Sequence, residues 1–432
     1  MKVLMFGWEF PPHISGGLGT ACYGLTKGLS TFSDMEIIFV VPKAFGDEDQ
    51  SNMRLLGANN IPVRVKDTRI LGFLKEMQQI EVGVNLLPYV DPELYEKYNV
   101  DTISGENKFI TSDFNGKFQF SGGYGQNLMQ EISNYALVAA SIALENTFDI
   151  IHAHDWLCFP AGIAAKYVSG KPLVIHVHAT DFDRSGGNVN PVVFNIEKEG
   201  MEAADKIITV SNLTRNIVIE KYGIDPKKVV TVYNAVEPVE GCAACDSFGK
   251  KPKESDEKIV TFLGRITMQK GPEYFIEAAA LVLKKMDNVR FVMAGSGDMM
   301  NKMIRRAARL GIMDKFNFTG FLKGDDVNKM FGMSDVYVMP SVSEPFGISP
   351  LEAMQSNVPV IISRQSGVAE VLQNAVKIDF WDTHAMADAI YGILNYPALH
   401  GTFKKHGKDE VDEMKWETSA KNVRDVYYSV VN

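Results

Sequence analysis

Two pairs of histidines are the first residues in this chain whose spacing could do chemistry. His152 and His154 end the apolar run "FDIIHAH", and His176 and His178 end the run "PLVIHVH". Residues two apart on a β-strand point to the same face of the sheet, so each pair could present two imidazoles together. Imidazoles can bind a metal ion, hydrogen-bond a substrate or transfer a proton.

A metal-dependent hydrolase is one interpretation of these histidines. Asp155 follows His154 directly, but the run does not form the H-x-H-x-D-H pattern. A metal site would also leave the charged loops of the second half of the chain without a role. Cys242 and Cys245 have the spacing of a metal or redox pair, yet no second pair or nearby histidine completes a set of four ligands. We expect no metal site and keep the hydrolase as an alternative.

Glycines after the first apolar run form a candidate phosphate site. Gly16, Gly17 and Gly19 in "SGGLGT" precede a helix that we expect to begin near Thr20. Backbone N–H groups at such a strand-to-helix turn can approach a phosphate, although a tight turn without a ligand is the alternative. The dinucleotide fingerprint G-x-G-x-x-G fails at Cys22, and "EIIFVVP" lacks a terminal acidic residue to hold a ribose. These departures argue against a nicotinamide dehydrogenase.

Two cations lie on a predicted loop in the second half of the chain. Arg265 and Lys270 occur in "FLGRITMQKG", just after an apolar run. A pair of cations at the carboxyl edge of a parallel sheet could neutralise a diphosphate. Solvated surface cations are the alternative interpretation.

Two glutamates eight residues apart occur in "SEPFGISPLEAM". We expect Ser349 to cap a helix, Pro350 to occupy its first position and Glu352 to complete a capping box. Glu352 would then have a structural role. Glu344 has no such explanation and is the better functional candidate.

The elements that must position these residues are short Val- and Ile-rich runs separated by helical segments. This pattern predicts an α/β fold with parallel sheets covered on both faces. The alternation stops in the polar segment "EPVEGCAACDSFGKKPKESDEK" and then starts afresh. We interpret the segment as a linker between two doubly wound domains.

Composition supports two folded domains. The chain has 432 residues, of which 46% are hydrophobic and 22% charged, and this is too long for one ordinary core. A net charge of -9 argues against nucleic-acid binding. We find no signal peptide and no apolar run long enough to cross a bilayer, and four cysteines fit a reducing compartment, so we expect a cytoplasmic protein. The oligomeric state cannot be inferred from the sequence.

An aromatic segment interrupts the first domain between about Asp67 and Gln126. Strand and helix signals thin out there, while tyrosines and phenylalanines such as Tyr95 and Tyr98 accumulate. Aromatic rings stack on the apolar faces of glucose units, so the segment could cover an acceptor glucan. A satellite core beneath a long loop is the alternative.

Taken together, these motifs resemble the retaining glycosyltransferases of the GT-B fold, most closely the glycogen and starch synthases and their archaeal-type relatives. The motifs on which the resemblance rests are, in order along the chain, "SGGLG", "HAHDW", "GRITMQKG" and "EPFGISPLE". The resemblance implies two facing Rossmann-like domains with a cleft between them. Applied to this chain, the resemblance implies an acceptor-side domain over 1–240 and a nucleotide-sugar domain over 259–410, joined by a linker over 241–258. A final helix over 411–432 would cross back to the first domain.

The resemblance also implies roles for individual residues. Arg265 and Lys270 would bind the donor diphosphate and stabilise the leaving nucleoside diphosphate. Glu344 would contact the transferred sugar, and His154 would lie beside it. The implied catalytic residues are therefore His154, Arg265, Lys270 and Glu344. The implied substrate-binding residues are Gly16, Gly17, His178, Gly347, Ile348, Ser349 and Glu352, with Glu352 on the ribose.

The implied activity is that of a hexosyltransferase. It would move glucose with retention from ADP- or UDP-glucose to an α-1,4-glucan, with no cofactor and no required metal. One departure bears on the donor, because bacterial synthases carry a lysine before the paired glycines where this chain has Ile14-Ser15. Another bears on the acceptor, because "HVHATDFDRSG" replaces the usual H-N-x-x-x-Q-G. A transferase acting on a sugar phosphate or a lipid-linked sugar therefore remains an alternative, as does a binding protein that has lost activity.

Overall fold

The apolar runs of the sequence become the strands of two parallel sheets. The structure is a computed structural model that describes residues 1–14, 16–64, 68–77, 115–237 and 257–431. Its contacts divide the chain into two compact units. The first unit comprises Met1–Phe182, Asn188–Asn234 and Trp416–Asn432, and the second comprises Asp183–Gly187 and Ala235–Lys415.

The sheet of the first unit has seven parallel strands. They are β1 (Lys2–Phe6), β2 (Glu36–Val41), β3 (Arg54–Gly57), β6 (Ile150–His154), β7 (Leu173–Val177), β8 (Lys206–Thr209) and β9 (Val229–Thr231). Their order in space is β3-β2-β1-β6-β7-β8-β9, and β4 (Val63–Arg64) and β5 (Asn115–Gly116) form a separate antiparallel pair. Every residue of β6 and β7 is buried, as expected for strands covered on both faces.

The helices before residue 237 alternate with these strands. They are α1 (Gly17–Ser30), α2 (Thr68–Met77), α3 (Leu128–Glu145), α4 (Phe159–Ser169), α5 (Asp181–Ser185), α6 (Pro191–Ala203) and α7 (Asn212–Tyr222). Local interactions determine where several of these helices begin and end. The Ser211 hydroxyl caps the start of α7 by accepting from the Thr214 N–H. Gly170 and Gly223, both in the left-handed region, end α4 and α7.

The second unit contains a six-stranded parallel sheet. Its strands are β10 (Lys258–Leu263), β11 (Val289–Ala294), β12 (Phe316–Gly320), β13 (Val336–Met339), β14 (Val360–Ser363) and β15 (Val376–Ile378), in the order β12-β11-β10-β13-β14-β15. Its helices are α8 (Pro272–Leu283), α9 (Met300–Arg309), α10 (Asp325–Met333), α11 (Ser349–Gln355), α12 (Val368–Val371), α13 (Thr383–Asn395) and α14 (Pro397–Asp412). The predicted α/β architecture with two Rossmann-like domains is confirmed.

The last helix, α15 (Trp416–Val431), belongs to the first unit. It packs against α1, where the absence of a side chain at Gly24 makes room for the Trp416 indole. A Cβ atom at Gly24 would lie 2.2 Å from that ring. The Arg424 guanidinium also bonds the Asp34 carboxylate at 2.6 Å. Within the described ranges, no helix combines the length and the apolar character needed to span a bilayer.

Two sequence predictions fall partly or wholly outside the described ranges. The proposed linker, with Cys242 and Cys245, lies almost entirely within the undescribed residues 238–256, and Tyr95 and Tyr98 lie within 78–114. At the described end of the aromatic segment, Phe120 is buried in the core of the first unit. Phe118 and Tyr124 pack against the same core. These three rings therefore lie in or against the core, as the alternative interpretation of the segment expects.

Candidate active site

The sheet of the first unit brings all four histidines into one cluster. His154, the last residue of β6, is in register with His176 on β7. Ring centroids are 4.2 Å apart for His152 and His154 and 4.2 Å apart for His176 and His178. Between the strands, the centroids of His154 and His178 are 5.2 Å apart. The two pairs found in the sequence are therefore one stack of imidazoles, which we call the histidine cluster.

Exposure differs sharply within the histidine cluster. The rings of His152 and His154 are fully buried, and His176 is buried, whereas His178 is partly exposed. The Nδ1 atom of His154 lies 3.0 Å from the Nε2 atom of His178. His178 is therefore the member that reaches solvent, and it is hydrogen-bonded directly to His154.

Burial controls the charge of these histidines. It lowers the pKa of His152, His154 and His176 well below the usual value, and the neighbouring imidazoles lower each pKa further. Burial also lowers the pKa of His178, although the negative charge of Asp155 opposes the shift. The cluster is therefore neutral near pH 7, and its members act there as hydrogen-bonding groups.

Asp155 has a positioning role that the sequence interpretation missed. Its backbone adopts a φ of 58°, and its carboxylate accepts from the backbone N–H of His178 at 2.7 Å and of Ala179 at 3.3 Å. Its own N–H donates to the carbonyl of His176 at 2.9 Å. Asp155 thus ties the end of β6 to the loop that carries His178. The sequence signal was its place directly after the strand.

The same cluster has the spacing of a metal-ligand set. Among the described residues, His152, His154 and His176 can each bring one ligand atom within 4.8 Å of the others, and so can Cys22, His154 and His178. The Nε2 atoms of His152 and His154 make no hydrogen bond to any described residue. Metal binding by these histidines remains a hypothesis that chelation can test.

The glycine turn lies at the start of α1, on the loop that leaves β1. Gly16 occupies the N-cap position and Gly17 is the first helical residue. Both are exposed, and a Cβ atom at either would meet nothing within 4 Å. Their backbone is therefore accessible to an anion. The prediction that the helix begins near Thr20 is wrong by three residues, because a run of glycines carries no side-chain signal for where its first turn begins.

In the second unit, Lys270 and Glu344 meet at the carboxyl edge of the sheet. Lys270 ends a single 3₁₀ turn (Met268–Lys270) on the loop after β10, and Glu344 lies on the loop after β13. The Lys270 ammonium donates a short hydrogen bond to the buried Glu344 carboxylate, which also accepts from the Ser341 hydroxyl at 3.2 Å. Gly271 permits this approach, because a Cβ atom there would lie 2.1 Å from the Pro340 carbonyl oxygen.

Backbone hydrogen bonds hold Glu344 between two loops. Its N–H donates to the carbonyl of Gln365 at 3.0 Å, and its carbonyl accepts from Gly367 at 2.9 Å. The loops after β13 and β14 are thereby joined. Arg265 lies on the same β10 loop as Lys270, two residues after the strand, and its side chain is half-buried.

The remaining predicted residues surround the start of α11. Gly347 has a φ of 100°, Ile348 is at the N-cap position, and Ser349 is the first helical residue. The predicted capping box is wrong, since the N-cap residue is Ile348, which offers no side-chain hydrogen bond. The buried Tyr337 phenol, on the strand before this loop, donates to the carbonyl of Leu263 at 3.2 Å. Loss of solvation raises the pKa of Glu352 to about 7.

The strand orders explain where the candidate residues lie within each sheet. In the second sheet the order reverses between β10 and β13, and in the first it reverses between β1 and β6. Open α/β sheets bind ligands in the crevice at such a switch point, beyond the carboxyl ends of the strands. Arg265, Lys270 and Glu344 follow the two strands at the second switch point. Gly17 and His154 lie at the first.

Two Rossmann-like domains in one chain, each with its candidate residues at the switch point of its sheet, define the class of GT-B proteins. Within this class, both halves of the chain match glycosyltransferase families. Residues 246–410 match the family described as "Glycosyl transferases group 1", and residues 125–240 match "Glycosyltransferase Family 4".

Similarity to known proteins extends over the full chain. An uncharacterized glycosyltransferase of Methanocaldococcus jannaschii is 28% identical, covering 99% of this chain and 98% of its own. The glycogen synthase of Mycobacterium tuberculosis is 21% identical, covering 99% and 94%. Among solved structures, sucrose-phosphate synthase from Thermosynechococcus elongatus superposes with a TM-score of 0.71 at 17% identity, covering 99% and 98%. The chain is thus a glycosyltransferase with the GT-B fold.

Proposed function

We propose that this glycosyltransferase moves glucose with retention from ADP- or UDP-glucose to an α-1,4-glucan. The observation that carries the proposal is the group formed by Arg265, Lys270 and Glu344 at the switch point between β10 and β13. Full-length similarity to a glycogen synthase and the order of the four motifs support the choice of sugar and acceptor.

The donor diphosphate binds at this switch point in our proposal. The guanidinium of Arg265 offers a planar fork that suits phosphate oxygens, and Lys270 offers a point charge. Negative charge grows on the nucleoside diphosphate as the bond to the sugar breaks, so cations fixed beforehand stabilise the transition state more than the ground state. The ion pair with Glu344 holds the Lys270 ammonium in place before the donor arrives.

The two glutamates serve different parts of the donor. Glu344 is the carboxylate that contacts the transferred glucose, and its backbone hydrogen bonds to the next loop fix its position. Glu352 bonds the ribose hydroxyls. A carboxyl group whose pKa is about 7 can accept from or donate to a hydroxyl at neutral pH. In this proposal, the part of the donor site next to the two glutamates is formed by Gly347, Ile348 and Ser349.

The first unit supplies neutral groups for the sugar. His178 is the partly exposed member of the histidine cluster and can bond a sugar hydroxyl. His154 holds His178 through its Nδ1 atom and supports developing positive charge through its backbone carbonyl. Gly16 and Gly17 leave the backbone at the N-terminus of α1 exposed, and the N–H groups of a helix N-terminus attract an anion. The reaction in this proposal uses no metal ion, because fixed cations already oppose the diphosphate charge.

A small acceptor is the second candidate function. The segment after β7, "HVHATDFDRSG", departs from the motif that the synthases carry there, and it includes the partly exposed His178. A changed loop on the sugar side favours a changed acceptor, such as a sugar phosphate or a lipid-linked sugar. The same residues would still bind the nucleotide-sugar.

A nucleotide-release assay tests both candidates. The purified chain is given ADP-glucose or UDP-glucose with glycogen, maltooligosaccharides or a set of sugar phosphates. We expect release of the nucleoside diphosphate that depends on glucan, with the product anomer retained. Release that depends only on a sugar phosphate would select the second candidate. Absence of release with both donors would reject glucose transfer from these nucleotides.

A further inference from the structure

The C-terminal helix carries a hydroxyl group that ends directly on the histidine cluster. Tyr427 on α15 is fully buried, and its phenol oxygen lies 2.6 Å from the Nδ1 atom of His152. The two residues are separated by 275 positions in the chain. Both belong to the first unit, so this contact is internal to one compact body.

The direction of this hydrogen bond follows from charge. Both groups are fully buried, and burial disfavours the charged form of each, so both are neutral near pH 7. A phenol O–H is a stronger donor than a neutral imidazole N–H. Tyr427 therefore donates to Nδ1 of His152, and the imidazole proton of His152 resides on Nε2.

His152 transmits this constraint to its neighbours by direct packing. Its ring centroid is 4.2 Å from that of His154 and 5.5 Å from that of His176. His154 in turn is hydrogen-bonded to His178, the partly exposed member of the cluster. Contacts thus run without a gap from Tyr427 through His152 and His154 to the partly exposed His178.

We propose that Tyr427 is a positioning residue for the hydrogen-bonded pair His154 and His178. Its hydroxyl fixes the tautomer and the ring orientation of His152, and the packed ring of His152 then restricts His154. The proposal rests on the proposed function only in assigning His154 and His178 to the sugar. A group held in place by packing and outer hydrogen bonds keeps the geometry that a reacting substrate needs.

The docking of α15 does not depend on the Tyr427 hydroxyl. At the other end of the helix, the Ser419 hydroxyl donates to the carbonyl of Tyr233 at 2.6 Å, and Trp416 fills the space above Gly24. On its outer side, the Arg424 guanidinium and the Tyr428 hydroxyl both bond Asp34. Removing one oxygen atom from Tyr427 therefore leaves the helix in place.

The experiment compares Tyr427→Phe with Tyr428→Phe in the full chain. Each variant loses one phenol hydroxyl from the same helix, but only the first hydroxyl faces the cluster. We expect Tyr427→Phe to lower kcat by on the order of tenfold, with KM for the donor changed by less than about twofold. Tyr428→Phe should retain the wild-type kcat. Equal losses in both variants, or a wild-type kcat in Tyr427→Phe, would overturn the proposal.

A second measurement needs no substrate. In protein labelled with ¹⁵N-histidine, ring nitrogen shifts report the tautomer of each imidazole. We expect Tyr427→Phe to change the shifts of both His152 and His154, and Tyr428→Phe to change neither. Unchanged His154 shifts in Tyr427→Phe would reject the positioning role even if no glucosyl donor were found. Failure of the proposed reaction is thereby distinguished from failure of this inference.

Discussion

Lys270 and Glu344 form an ion pair between the loop after β10 and the loop after β13, at the point where the strand order of the second sheet reverses. Glu344 is buried, and Lys270 is its cationic partner. Removing the cationic partner of a buried carboxylate lowers the free energy of unfolding by far more than formation of the ion pair raises it. A substitution at Lys270 is therefore expected to lower stability as well as turnover.

We predict that Arg265→Ala and Lys270→Ala both lower turnover, and that Lys270→Ala also lowers stability. Loss of one charge that stabilises the leaving group costs about 10² to 10³ in rate. Lys270→Ala also leaves the Glu344 carboxylate without its partner, which costs on the order of 3 kcal/mol. Steady-state kinetics and denaturant unfolding measure the two effects. The double variant Lys270→Met with Glu344→Gln should recover stability without recovering turnover. A stable, active Lys270→Ala enzyme would reject the leaving-group role.

We predict that Glu352 makes the protein less stable as the pH rises from about 4.5 to about 7. The pKa of its carboxyl is raised to about 7 in the folded state, so over this range the folded state binds more protons than the unfolded state. Glu352→Gln cannot ionise and should remove this contribution. Melting temperatures of both proteins across this range measure it, and parallel curves would show that Glu352 ionises freely when folded.

The buried histidines change stability with pH in the opposite direction to Glu352. Because the pKa of His176 is lowered in the folded state, the unfolded state binds more protons below about pH 6.5, and stability falls as the pH falls. We predict that His176→Leu weakens this acid sensitivity, since both of its ring nitrogens are buried without a hydrogen-bond partner among the described residues. Urea midpoints at pH 5 and pH 8 compare the variant with the wild type. An unchanged difference between the two midpoints would contradict the lowered pKa.

We predict that turnover survives exhaustive chelation. Arg265 and Lys270 supply the positive charge that a divalent ion would otherwise bring to the diphosphate. Activity is measured before and after EDTA treatment, with metal content determined by mass spectrometry. An enzyme silenced by EDTA and restored by one equivalent of a divalent ion would contradict the prediction and favour a metal site at the histidine cluster. His152→Gln would then abolish the binding of that ion.

Truncation after Lys415 should reduce both stability and turnover. It removes α15, whose Trp416, Val423 and Tyr427 are buried in the first unit, and it leaves the space above Gly24 empty. Thermal unfolding and the nucleotide-release assay measure the two losses. A milder form of the same test is Gly24→Ala, whose methyl group would clash with the Trp416 indole. A truncated enzyme with wild-type melting and turnover would show that α15 is dispensable.

Local patterns in the sequence were enough to predict the two α/β domains and most of the candidate residues. Runs such as "FDIIHAH" reveal a buried strand because both faces of a parallel sheet must be apolar, and polar residues that follow such a run lie at its carboxyl end. Arg265, Lys270, Glu344 and His154 were identified in this way. Their roles stay predictions until the variants are measured.

What only the tertiary structure decided depends on contacts between distant parts of the chain. No local periodicity specifies that β10 lies beside β13. The pairing of Lys270 with Glu344, 74 positions apart, therefore could not be predicted from the sequence. The same holds for the stacking of two histidine pairs into one cluster and for the Tyr427 hydroxyl on His152. The predicted capping box failed because the helix begins one residue earlier than expected, with Ile348 at the N-cap position. Sequence periodicity records which side chains are buried, whereas the packing of the whole chain selects the neighbours that share the buried space.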